Sequence, residues 1–276
     1  MPYLKTENAG PIEIYYEVRG SGEAVVLIGG LTSTLEIWGL QVPALAERYR
    51  VITPDNRGSG RTRVPHDDGV RTFERFAGDI RALIDGLELG RVHLVGASLG
   101  GLMVQSFAVE YGDRLGSLSI LCSTPGEEHG VPVNRDALAD LVTGSEEISR
   151  GSGGAAPDGF TRAIVHPDTP AKRPEALQFY FETKVRFPHA PEEIERRQGA
   201  NSRSVWDDLP DLRVPTLAVT GDADVLVPPE NSRILADRIP NAELRCIEGG
   251  GHIFFMEQPE ATNTALLDFF ARHPIA

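Results

Sequence analysis

The chain has 276 residues, 41% hydrophobic and 24% charged, which is ordinary for a globular protein and excludes a disordered or collagen-like chain. Its 27 Lys and Arg against 40 Asp and Glu leave a net charge of -13, a field that repels phosphate backbones and anionic lipid surfaces. Nucleic acid and membrane are therefore not expected partners, and an anionic small molecule would need a local arginine to bind.

In chain order, residues 12–18 alternate apolar and polar, the mark of a half-buried strand at a sheet edge. The runs AVVLI (24–28), YRVIT (49–53), VHLVG (92–96), LSILC (118–122), TLAVT (216–220) and ELRCI (243–247) are nearly continuous and rich in β-branched residues. Such runs predict strands of a parallel sheet buried on both faces. Phe73, Phe76, Ala77, Ile80, Leu83, Ile84 and Leu87 recur at helical spacing, with Thr72 as N-cap and Gly86 and Gly90 at the exit. Helical periodicity also marks 99–111, 230–239 and the stretch after Pro259. Strands alternating with helices imply right-handed crossovers and a sheet covered on both sides.

From 125 to 206 the alternation breaks. Stretches 134–141, 174–187 and 192–204 read as helices, none reads as a strand, and a Gly-rich segment, RGSGGAAPDG (150–159), reads as a surface loop or, less expectedly, a mobile gate. The expected organisation is a core made of 1–124 and 207–276, carrying 125–206 as a helical cap. Cys122 and Cys246 are lone cysteines without metal or disulfide spacing, no run approaches the length of a membrane span, and the start has no basic-then-apolar leader. A reduced, cytoplasmic setting is expected, with the oligomeric state, a homo-oligomer included, left open.

RVHLVGASLGGLMVQ (91–105) places Ser98 between Gly96 and Gly100 where a strand run gives way to a helix. A serine hydroxyl attacks a carbonyl when a neighbouring base removes its proton and the developing oxyanion is held. The G-x-S-x-G form is a nucleophile elbow, a tight turn whose flanking positions must be small. EGGGHIFFMEQP then puts His252 on a glycine loop at the expected C-terminal edge of the sheet, where open α/β folds bind ligands. TLAVTGDADVLVPP offers two acids just after a strand, Asp222 and Asp224. The order Ser98, acid, His252 suits this architecture and differs from the other serine hydrolase orders.

With these residues in hand, the sequence resembles the α/β-hydrolase superfamily over essentially its whole length, through GASLGG, DNRGSGRT (55–62), VPTLAVTGDADVLVPP and GGGHIFFMEQPE. The resemblance implies an α/β-hydrolase fold: a mostly parallel eight-stranded sheet covered by helices on both faces, with an inserted helical cap. In that family the acid lies four residues before a proline, which selects Asp224 through Gly221 and Pro228 and leaves Asp222 as the spare. The family usually carries His-Gly after the third strand. Here Gly29 takes the histidine's place, and the oxyanion-hole N–H groups fall on Leu31 and Leu99. The family also implies that Asp55 and Arg57 of DNRGSGRT are held in hydrogen bonds as a structural turn. The loop GLTSTLEIW is loosely similar to that of β-ketoadipate enol-lactone hydrolases, and less so to that of perhydrolase-type non-haem haloperoxidases.

The function these residues imply is hydrolysis of a small-molecule carboxylic ester or lactone by a Ser98–His252–Asp224 triad through an acyl-enzyme, with no metal or organic cofactor. Two alternatives keep the same residues: a hydrolase cleaving a carbon–carbon bond, and a slow or non-catalytic small-molecule receptor. Dehalogenase and epoxide hydrolase chemistry need a carboxylate where Ser98 stands. Segment 125–206 holds 10 basic and 13 acidic residues, so it is not a basic lid selecting carboxylates. Phe160, Phe179, Tyr180, Phe181, Phe187 and Trp206 there read as the cap's own core or as the wall of an acyl pocket.

Overall fold

The computed structural model describes residues 3–7, 10–150, 158–200 and 203–275. Its strands are β1 (Tyr3–Thr6), β2 (Ile12–Arg19), β3 (Ala24–Ile28), β4 (Arg50–Pro54), β5 (Val92–Ala97), β6 (Leu115–Leu121), β7 (Thr216–Gly221) and β8 (Ala242–Ile247). They form one eight-stranded sheet in the order β1-β2-β4-β3-β5-β6-β7-β8. The β1–β2 and β2–β4 pairs are antiparallel and every other pair is parallel. This is the α/β-hydrolase fold the sequence resembles.

The continuous apolar runs have a direct cause. Successive strand residues point to opposite faces, so Val25, Leu27, Val51, Val95, Leu217 and Val219 enter one core while Val26, Ile28, Ile52, Leu94, Leu118 and Ile120 enter the other. Neither face meets water. Strand β8 departs from its expected reading: it is the sheet edge, and most of its residues are half-buried or exposed. With a neighbouring strand on one side only, it is not buried as a central strand is.

The helix Phe73–Gly86 starts where its sequence says, since the Thr72 side chain accepts the Arg75 N–H. Its end follows another rule. Gly86 is required by packing, because a Cβ there would lie 2.4 Å from Leu4 Cδ1. The left-handed residue after the helix is Glu88, with φ of 51°.

Between β6 and β7 run helices Arg135–Ser149, Asp158–Ile164, Thr169–Lys172, Pro174–Arg186 and Pro191–Gln198. The first outruns the expected 134–141 by two turns, capped by Asn134, whose side chain accepts from the Asp136 and Ala137 N–H groups. The last stops at Gly199 rather than running to 204. Residues 151–157 of the glycine-rich segment lie outside the described residues. Phe160 is fully buried against Tyr180 and Phe181, within a core that these helices share with the sheet. Among the described residues, no helix is long and apolar enough to cross a membrane.

Candidate active site

Ser98 follows β5 with φ of 56° and ψ of -123°, a conformation that costs an L-residue roughly 1–3 kcal/mol and persists only where neighbours impose it. Two glycines impose it. A Cβ on Gly96 would sit 2.3 Å from the Gly100 carbonyl oxygen, and one on Gly100 would sit 2.5 Å from the Ile28 oxygen and 2.7 Å from that of Gly29. The turn closes that tightly because no side chain stands in its way. The Ser98 N–H donates to Leu121 O at 2.8 Å, and Ser98 O accepts from Gly101 N–H and Ser123 Oγ, each at 2.8 Å.

His252 Nε2 lies 3.0 Å from Ser98 Oγ, and His252 Nδ1 lies 2.8 Å from Asp224 Oδ2. An ionised carboxylate can only accept. The imidazole proton therefore sits on Nδ1, and Nε2 presents a lone pair to the serine hydroxyl. Asp224 is buried, and its second oxygen accepts the Leu226 N–H at 3.0 Å and the Val227 N–H at 2.9 Å, which fixes the carboxylate plane. Asp222, the spare acid, is exposed and instead accepts the Gly249 N–H at 2.7 Å, securing the glycine loop. The structure thus brings together the three side chains expected from the sequence and separates the two candidate acids.

The glycine loop has its own steric logic. Gly249 is left-handed at φ of 65°, and a Cβ on Gly251 would lie 2.5 Å from the Val165 carbonyl carbon. Buried Glu257 accepts from Gly251 N–H at 2.7 Å, His166 N–H at 2.8 Å and Thr169 Oγ1 at 2.5 Å. It binds the loop carrying His252 to the helical segment between β6 and β7. Burial raises its carboxyl pKa against the pull of those three donors. Glu257 lies within the GGGHIFFMEQPE motif, whose spacing carries no sign of this role.

The loop after β3 passes directly over Ser98: a Cβ on Gly30 would be 3.0 Å from its Cβ and 3.5 Å from its Oγ. The Leu31 and Leu99 N–H groups have no acceptor among the described residues. Leu31, Leu99 and Ser98 all border a cleft of about 680 Å³, whose wall includes Leu102, Leu138 and Val227. On the other side Ser98 borders a compartment of about 30 Å³ with Tyr180, Ile253 and Phe255.

The DNRGSGRT turn supports that loop. Asp55 Oδ1 accepts the Leu35 N–H at 2.9 Å and Oδ2 accepts the Arg61 N–H at 2.9 Å, while Arg57 forms a two-pronged ion pair with Asp79 at 2.9 and 2.7 Å. Cys122, against the elbow, is no competing nucleophile, because burial and the nearby Asp224 charge push its thiol pKa well up. Among the described residues no cluster of three or more His, Cys, Asp or Glu could hold a metal ion.

A sequence profile of the alpha/beta hydrolase fold matches residues 23–259, and the chain belongs to that family. It is 31% identical, over 98% of its length and 99% of the other's, to a protein of Synechocystis sp. provisionally named a non-heme chloroperoxidase. A thermophilic esterase from Thermogutta terrifontis superposes with a TM-score of 0.83 at 28% identity, covering 99% of this chain and 100% of the esterase. An enzyme described as degrading N-acyl homoserine lactones superposes at 0.78 with 27% identity, covering 97% and 100%. These relatives share a scaffold and differ in the reaction their names give.

Proposed function

We propose that this protein is a serine hydrolase that cleaves a carboxylic ester or lactone by acyl transfer to Ser98. The observation that carries the reading is the continuous relay from Ser98 Oγ through His252, at 3.0 Å, to Asp224, at 2.8 Å, ending on a serine held in a strained turn. Ser98 Oγ attacks the carbonyl carbon and its proton passes to His252 Nε2, while Asp224 holds the tautomer and stabilises the imidazolium. The carbonyl oxygen becomes an oxyanion facing the Leu31 and Leu99 N–H groups, at the positive end of the helix Leu99–Tyr111. The bond to the leaving oxygen breaks as His252 returns the proton to it. Water then adds to the acyl-enzyme, gives its proton to His252, and the acid departs as Ser98 regains a hydrogen.

The cleft of about 680 Å³ gives room for a drug-sized substrate, and its wall mixes leucine and valine side chains with Glu127, Glu128, His129 and Arg203. The esterase and the lactone-degrading relative support an oxygen leaving group. Hydrolysis of p-nitrophenyl esters by the purified chain, falling by about 10⁴- to 10⁶-fold in Ser98→Ala, is the expected result. Turnover that survives the substitution unchanged removes Ser98 from the chemistry.

A further inference from the structure

The loop between Gly29 and Ser33 is gripped by its carbonyls. Asn56 Nδ2 donates to Gly29 O at 2.9 Å, Arg197 Nη2 to Gly30 O at 2.9 Å, Lys184 Nζ to Thr32 O, and Ser59 Oγ to Ser33 O at 3.2 Å. Two of these donors come from the DNRGSGRT turn. The other two, Arg197 and Lys184, come from the helices between β6 and β7.

Arg197 and Lys184 are 0% and 4% exposed, and neither forms an ion pair with a carboxylate among the described residues. Glu193, on the same helix as Arg197, is occupied by Arg71 at 2.8 and 2.6 Å. Arg197 instead donates to Ser59 Oγ at 2.6 Å, meets His189 Nε2 at 3.2 Å and reaches Gly30 O, with its Nε left unpartnered. Burying the Arg197 guanidinium with no carboxylate in direct contact is costly and calls for a compensating role, even with the Glu193 and Asp55 charges acting on it through space. Burial and the Arg197 charge push the Lys184 pKa well below its ordinary value, so Lys184 serves as a hydrogen-bond donor rather than as a second charge. Burial lowers the Arg197 pKa to about 10, which still leaves it charged at neutral pH.

The geometry of the peptide bond supplies that role. All the described peptides are trans, and a trans peptide directs its C=O and N–H oppositely. The Gly30 carbonyl and the Leu31 N–H belong to one peptide, so a donor that fixes the first also aims the second. A hydrogen bond from a cation to the carbonyl polarises the amide and makes its N–H a stronger donor.

We propose that Arg197 is a positioning residue for the oxyanion hole: through the Gly30 carbonyl it aims and strengthens the Leu31 N–H, in a loop where Gly29 offers no side chain as a brace. Lys184 performs the neighbouring task at Thr32. The inference rests on the ester-or-lactone reading, since it needs an oxyanion to form. It also makes catalytic competence depend on where the helix Pro191–Gln198 sits.

The test compares wild type with Arg197→Met, Arg197→Lys and, as a control on the same helix, Ile194→Ala, a buried apolar truncation. Each is assayed for kcat and KM on p-nitrophenyl butyrate and for inhibition by an aryl trifluoromethyl ketone, which adds to the serine as an oxyanion. Arg197→Met is expected to lower kcat about 10- to 100-fold, less than outright loss of an oxyanion donor, with KM little changed. Inhibitor affinity should fall in proportion to kcat, Arg197→Lys should recover part of both, and Ile194→Ala should not reproduce the paired loss. If Arg197→Met does not fold, Arg197→Lys decides: lysine keeps a positive group but lacks the reach and planar fork by which the guanidinium meets Gly30 O and Ser59 Oγ through separate nitrogens, so both quantities should still drop.

Wild-type kcat and inhibitor affinity in Arg197→Met, or in Arg197→Lys where that variant decides, would overturn the proposal, as would a kcat loss without an affinity loss or the same paired loss in Ile194→Ala. Failure of the underlying reading looks different. There the wild type itself turns over no ester and Ser98 takes no fluorophosphonate, and the proposal falls with it.

Discussion

At the rim of the sheet, Gly96, Gly100 and Gly251 work by having no side chain, letting backbone approach backbone so closely that Ser98 and His252 face each other. Arg197 and Lys184, in the helices between β6 and β7, and Glu257, in the short helix Phe254–Glu257 after His252, work by the opposite means: long polar side chains, buried, each reaching main-chain groups of the loops that border the serine. The rim is specified by steric exclusion within a few residues of sequence. The overlying helices are specified by polar reach across more than 80 residues of chain, as with Thr169 and Glu257. The Ser98–His252 pair and the contacts that align it are thus encoded separately, so mutations in the two regions should fail in different ways.

The largest expected separation lies within the rim. Asp224→Asn should lower kcat by about 10⁴-fold by presenting the wrong partner to His252 Nδ1, while Asp222→Asn should leave kcat within a few-fold. Steady-state assays of the two variants side by side check this, and equal losses would mean that the acid has been misassigned.

Next comes the elbow. Gly100→Ala places a methyl against two carbonyl oxygens that cannot retreat without moving the loop over Ser98. A destabilisation of about 1–3 kcal/mol or more is expected in denaturant unfolding, together with lost activity. Ala in that place with unchanged midpoint and rate would show that the close approach is dispensable.

These rim features were legible in advance because they are local. G-x-S-x-G, the GGGH loop and the acid four residues before Pro228 announce themselves over a handful of positions. The strands were legible too, since two-sided burial writes itself as an uninterrupted apolar run; β8 misled because an edge strand can carry such a run without being buried on both faces. The contacts of Arg197, Lys184 and Glu257 left no such mark. Counting 10 bases against 13 acids in 125–206 says nothing about which of them turn inward, and Asn56 and Ser59 gain their meaning from carbonyls about 27 residues away. A buried long-range hydrogen bond has no period and no motif. DNRGSGRT was legible as a structural turn, yet not as the support of the Gly29–Ser33 loop over Ser98.

Two further measurements sharpen the helical side. Glu257→Gln keeps the shape and removes the charge that gathers three donors, so about 1–3 kcal/mol of stability should go, with kcat falling as the His252 loop loosens. Thermal unfolding with parallel kinetics reads both, and a variant as stable and active as wild type would take Glu257 out of the account.

The smallest expected effect is a pH dependence. Asp67 shares Arg71 with Glu193, and that guanidinium holds its pKa down at about 2, below the ordinary 3.8. A folded-state value below the unfolded one means that its stabilising contribution is complete above about pH 4 and is lost as pH falls through 2. Amide exchange of the helix Pro191–Gln198, which carries Glu193, should therefore quicken relative to the sheet as pH drops across that window, less so in Asp67→Asn. Equal pH profiles in the two proteins would remove this tie.

Labelling the native protein with a fluorophosphonate and mapping the modified peptide by mass spectrometry shows most directly whether the strained turn delivers a reactive alcohol to an imidazole. One stoichiometric adduct is expected, on Ser98, and it should disappear when His252 is replaced by alanine. An adduct on another residue, or labelling of Ser98 at the same rate without the imidazole, would contradict it.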